Sequence, residues 1–104
     1  MIRKAFKMKV YADRIQEYVE RHNPIWPELA DTLRQHGVGN YSIFLDGETN
    51  TLFGYAEIES EKQWAAIAQT DVCRKWWAYM QDLMETNPDS SPVSTDLREV
   101  FHLN

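Results

Sequence analysis

The chain has 104 residues, with 16 acidic side chains against 11 basic ones and a net charge of −5. Its length fits one domain over residues 1–104, and its acidic balance argues against nucleic acid or an anionic membrane surface as partner, since both need a basic face. Aromatic residues make up 12% of the chain, enough for a folded core, and no apolar run approaches the roughly 20 residues of a membrane span.

The N-terminus alternates Ile2, Lys4, Phe6, Met8 and Val10 against Arg3, Ala5, Lys7 and Lys9. That period of two predicts a first strand rather than the apolar stretch of a secretory leader. Asp13, with Gln16 three residues on, has the spacing of a capping box. Ile15, Tyr18, Val19 and His22 then follow the i, i+3, i+4, i+7 pattern and share one helical face, with Glu17, Glu20 and Arg21 outside it. Asn23 precedes a proline and is pushed out of the helical region, which ends the helix near His22. Pro27 suits the first position of a second helix, whose apolar stripe is Trp26, Leu29, Ala30 and Leu33, and Gly37 closes it.

Residues 38–46 and 51–59 read as two strands joined through Asp46-Gly47-Glu48-Thr49-Asn50 as a hairpin. The second of them places Leu52, Ala56 and Ile58 on one side and Phe53 and Tyr55 on the other. Ser60 and Gln63 repeat the capping-box spacing before a helix with Trp64, Ile67 and Ala68 inward. Asp71 is the expected cap of a further helix with Cys73, Trp76, Trp77, Met80, Leu83 and Met84 as its stripe. Cys73 is the only cysteine, which excludes an internal disulfide and suits a reducing, cytoplasmic setting. Residues 87–92 form a loop of turn residues, and a last strand is expected over residues 93–103.

The order βαββαβ, with interrupted helices, predicts a ferredoxin-like α+β domain. A sheet solvated on one side carries a polar outer face, a rule that Phe53 and Tyr55 break. A second copy of the chain is the economical cover, so a homodimer is expected.

The segment Tyr18-Val19-Glu20-Arg21-His22-Asn23-Pro24-Ile25-Trp26-Pro27-Glu28 sets a titratable ring beside two backbone breaks and flanks it with aromatics. That is a pattern for a small-molecule pocket. His22 is the leading candidate for chemistry, because an imidazole exchanges protons near neutral pH. Its alternative is a structural histidine that caps the helix C-terminus. Tyr18 lies one turn earlier and can point its phenol into the same cavity, or can serve as a core tyrosine with a wet hydroxyl. Tyr41 alternates with Ile43 and Leu45 and, by pattern alone, is an ordinary strand tyrosine. Trp76 and Trp77 point about 100° apart around a helix, so one can floor a pocket while the other packs at its edge; both also suit plain core filling, as do Trp26 and Trp64. Flat rings beside polar groups favour a sugar face. His22, His36 and His102 are scattered, no Cys/His cluster or metal-binding motif occurs, and no glycine-rich phosphate loop or nucleophile elbow is present. Neither a metal nor a cofactor is expected, and Cys73 reads as inert core.

These residues resemble the L-rhamnose mutarotase family. The likeness rests on Glu17-Tyr18, the run from Arg21 to Glu28, Asn40-Tyr41, Thr70-Asp71-Val72-Cys73 with Trp76-Trp77, and the tail segments Asn87-Pro88-Asp89 and Ser91-Pro92-Val93. It implies a dimeric α+β barrel that interconverts the α and β anomers of L-rhamnose in the cytoplasm, ahead of rhamnose catabolism. It further implies His22 as the catalytic proton donor, with Tyr18, Tyr41, Trp76 and Trp77 contacting the sugar. Which group removes the anomeric proton stays open between water, a tyrosine and a carboxylate. Two rivals share the fold: a cofactor-free monooxygenase acting on an aromatic or quinol substrate, and a non-catalytic sugar-binding barrel.

Overall fold

The N-terminal alternation becomes strand β1, Ile2–Lys9, which turns Phe6 and Met8 into the core and leaves Arg3, Lys7 and Lys9 outside. The coordinates form a computed structural model that describes residues 1–104. A 3-10 turn at Ala12–Arg14 leads into α1, Ile15–Arg21, and α2 follows at Pro27–Gln35. Strands β2, Val38–Asp46, and β3, Thr51–Ile58, form the expected hairpin. Helices α3, Glu61–Ile67, and α4, Asp71–Met80, precede the short strand β4, Thr95–Leu97.

The sheet is antiparallel throughout, in the order β2-β3-β1-β4. β1 and β3 pair along their whole length, from Ile2 opposite Ile58 to Lys9 opposite Thr51. This is the expected ferredoxin-like α+β arrangement. Both helical pairs cover one sheet face: Phe6, Met8 and Leu52 pack in one cluster with Tyr18, Leu29, Trp76 and Met80. Gly54 faces Phe6 across β1–β3, and a Cβ there would meet the Phe6 ring at 2.4 Å, so only glycine admits that ring. On the opposite sheet face Phe44 is 65% exposed and Phe53 38%. No helix is long and apolar enough to cross a membrane.

Three local expectations need correction. Asp13 does not cap α1: it lies inside the 3-10 turn, closed by Arg14 N–H donating to Tyr11 O at 2.9 Å, so it lacks the extended backbone a cap requires. The cap of α4 sits one residue before Asp71, at Thr70, whose extended backbone lets its hydroxyl accept from Cys73 N–H. The last strand is far shorter than residues 93–103; only Thr95, Asp96 and Leu97 pair, opposite Lys7, Phe6 and Ala5. All three are exposed, so nothing buried within the chain pins a longer register. Ser60, by contrast, caps α3 as expected, accepting from Gln63 N–H at 3.1 Å.

Candidate active site

The break between the first two helices places the site. α1 ends at Arg21 with His22 as its C-cap, Pro27 starts α2, and the residues between turn the chain beneath α4. A cavity of about 660 Å³ opens between the inner sheet face and the helices. It lies within the range of about 300–1,000 Å³ usual for small-molecule sites.

Tyr18, His22, Tyr41, Trp76 and Trp77 all line this one cavity. The Tyr18 and His22 rings lie 4.4 Å apart between centroids. Trp76 meets His22 edge to face at 5.2 Å, and Trp26 backs Trp76 at 5.0 Å. Trp76 is almost sealed, whereas Trp77 is half-buried. Across the cavity Tyr41 packs against Phe6 and Trp64, with ring centroids at 6.1 and 6.0 Å. Val19, expected inward, is half-exposed and stands at the rim.

His22 Nδ1 lies 2.8 Å from the Tyr18 carbonyl oxygen, to which it donates. That bond fixes the tautomer and leaves Nε2 as the lone-pair nitrogen. Burial lowers the His22 pKa, and the carbonyl bond opposes that shift in part, so the ring is neutral at neutral pH. Burial pushes both Tyr18 and Tyr41 well above the ordinary phenol value, and each stays a neutral hydroxyl. No buried side-chain nitrogen or oxygen lacks a partner, while His22 Nε2 and the Tyr18 and Tyr41 hydroxyls form no bond within the chain. These three atoms are therefore open to the cavity. Cys73 also lines it, with burial raising its thiol to about 11, which leaves it protonated and inert.

Among the 25 lining residues none is Asp, Glu, Lys or Arg. No group of three or more His, Cys, Asp or Glu side chains is placed to hold a metal ion. The polar equipment is thus a neutral imidazole, two phenols, the three indoles of Trp64, Trp76 and Trp77, and Asn23. It can hold hydroxyl groups, stack on an apolar sugar face and move a proton through one nitrogen.

Two supporting residues escaped the sequence reading. Arg21 falls off the apolar helical stripe, yet its side chain is only 15% exposed and ties α1 to the end of α4. It donates to Glu17, Asp82 and the Tyr79 carbonyl, and its guanidinium lies 4.3 Å over the Tyr79 ring, which stacks on Trp26. The i, i+4 spacing of Glu17 and Arg21 gives half of this; the contacts to residues 79 and 82 have no local signal. Asn23, beside the proline, also lines the cavity.

A family model for L-rhamnose mutarotase matches residues 3–103. An L-rhamnose mutarotase of Pectobacterium carotovorum is 60% identical over 104 residues, covering all of both chains. The crystal structure of an L-rhamnose mutarotase from Formosa agariphila superposes with a TM-score of 0.92 at 45% identity, again covering all of both chains. A dimeric ferredoxin-like protein from an uncultured marine organism shares the fold alone, with a TM-score of 0.64 and 11% identity over 98% of this chain and 95% of that one.

Proposed function

The chain belongs to the L-rhamnose mutarotase family, and from that premise we propose that His22 carries its proton transfers while Tyr18, Tyr41, Trp76 and Trp77 hold the sugar. It is an isomerase that interconverts the α and β anomers of L-rhamnose. Neither rival reading has a specific observation in its favour.

Ring opening requires the anomeric hydroxyl to lose a proton and the ring oxygen to gain one. Both oxygens are bonded to the same carbon, C1, so one group beside C1 reaches both. Nε2 of neutral His22 takes the proton from the anomeric hydroxyl. The electrons of that O–H bond become the second C1–O bond, the bond from C1 to the ring oxygen breaks, and the imidazolium delivers the same proton to the ring oxygen. Rotation about C1–C2 and the reverse sequence close the ring on its other face. His22 is thus the proton donor, supplied by the group it first deprotonates, and the Tyr18 carbonyl accepts from Nδ1–H in both charge states. The observation that carries this reading is an open Nε2 in a cavity whose lining has no carboxylate. The phenols are poor bases and serve as neutral donors to sugar hydroxyls.

The exposed Phe44 and Phe53 support a homodimer built on the outer sheet face, with residues 1–104 as one domain in each copy. The lone, inert Cys73 and the absence of a membrane-crossing helix are consistent with a cytoplasmic protein. Exchange NMR on the α and β anomeric protons of L-rhamnose tests the chemistry. The exchange rate rises in proportion to enzyme, and His22→Ala loses roughly 10²-fold or more of the increment, the usual worth of positioned acid–base catalysis. Full activity in a folded His22→Ala enzyme would overturn the assignment.

A further inference from the structure

Strand β2 is not regular, and the irregularity lies beside a site residue. Val38 pairs with Ile58 and Gly39 with Glu57, but the next pairs are Ser42 with Tyr55 and Ile43 with Gly54. Two residues of β2, Asn40 and Tyr41, therefore stand against one residue of β3, Ala56. Asn40 has φ +46°, in the left-handed region that side-chain-bearing residues other than asparagine and aspartate rarely enter. Its Nδ2 donates to Glu57 Oε1 at 2.7 Å, and Tyr55 donates its hydroxyl to the other oxygen at 3.0 Å.

The extra residue changes which side chains face in. In an unbroken ladder continued from Val38, which is buried, every second residue faces the core, and Tyr41 would fall on the outer face with Tyr55. With Asn40 as the added residue, Val38, Tyr41, Ile43 and Leu45 all face inward, and the last three line the cavity. Resting on the function proposed above, we infer that Asn40, held in the left-handed conformation by Glu57, is a positioning residue that delivers the Tyr41 hydroxyl to the sugar. Asparagine suits the place twice: it tolerates positive φ, and its amide reaches the cross-strand carboxylate. Glu57 is kept ionised by these two donors, which hold its carboxyl below the usual range.

The test compares Asn40→Val, which disfavours positive φ, with Asn40→Gly, which permits it, each alone and combined with Tyr41→Phe. In Asn40→Val, KM for L-rhamnose rises roughly tenfold, about the worth of one hydrogen bond, while kcat stays within about twofold. Asn40→Gly recovers most of that loss, and Asn40→Val adds nothing to Tyr41→Phe. A purely structural role would instead lower kcat through the active fraction, without a change in KM. Should Asn40→Val not fold, Asn40→Ala takes its place as the milder change. A second readout uses NMR of ring-labelled tyrosine, assigned by Tyr41→Phe: the Tyr41 titration moves down toward about 10 in Asn40→Val and stays high in Asn40→Gly. An unmoved Tyr41 signal, an unchanged KM, or an undiminished effect in the Tyr41→Phe background would overturn the inference. If wild-type protein does not accelerate exchange, the functional reading fails, and the tyrosine signal alone still decides the role of Asn40.

Discussion

His22 is pulled two ways by its surroundings, and the balance has a measurable consequence. Burial disfavours the imidazolium and the Tyr18 carbonyl favours it, with burial the larger effect. In the proposed role the neutral ring takes the anomeric proton, so kcat/KM is expected to rise with pH to a plateau, with an apparent pKa below the ordinary value of about 6.5. Stability follows the same sign. The unfolded chain binds the proton more readily, so this contribution is present above the unfolded value and lost as pH falls through it toward the depressed folded value. Both pH dependences weaken in His22→Gln, followed by exchange NMR and by urea unfolding at pH 5 and 7. At the same scale, Gly54→Ala forces a methyl into the Phe6 ring, which packs on Tyr41. A stability loss of about 1–3 kcal/mol from overpacking is expected in urea, accompanied by a raised KM. His22 and Tyr18 were legible in the sequence because helical spacing alone brings them together. Tyr41 is reached only through the family resemblance and not through its own spacing, since its partners Phe6 and Trp64 lie far away in the chain.

Elements whose ends are marked by strong local chemistry were read correctly. Pro24 and Pro27 stop one helix and start the next, and Gly37 closes α2 with φ +78°, where a Cβ would also strike Glu59. Caps were harder, because several residues in a row carry suitable oxygens and the backbone decides among them. Ser60→Ala and Asp71→Ala separate the two cases. The first removes a cap bond at 3.1 Å and lowers stability by about 1 kcal/mol; the second removes a side chain that makes no cap bond and changes stability by at most about 0.5 kcal/mol. Urea midpoints at constant m-value check both. The β2 bulge was invisible because one asparagine in an apolar run carries no signal that a strand has gained a residue. The overlong last strand fails for the opposite reason: its alternation is present, but within one chain there is nothing for it to bury against.

Across the whole molecule, one sheet face is covered by four helices and the other shows Phe44, Phe53 and Leu97. Edge and face patches of this kind mark association surfaces. Phe44→Asp combined with Phe53→Lys is expected to convert the proposed dimer to a monomer in sedimentation velocity, with the helical signal in circular dichroism unchanged. A wild-type monomer at micromolar concentration would contradict the homodimer. Because the Asn40–Glu57–Tyr55 contacts lie on that same outer face, the variants at Asn40 are checked for oligomeric state alongside their kinetics.

The cavity wall holds no fixed charge, and that bears on when in a sugar's history this enzyme can meet it. A phosphate or carboxylate entering such a wall leaves its water and finds no cation in return, a penalty of several kcal/mol even after relaxation. A sugar made anionic by a kinase or oxidase is therefore expected to bind this site poorly. Such a wall favours anomer exchange on the free sugar, with little feedback expected from anionic products. Millimolar L-rhamnose 1-phosphate added to the exchange assay should leave the rate on L-rhamnose untouched.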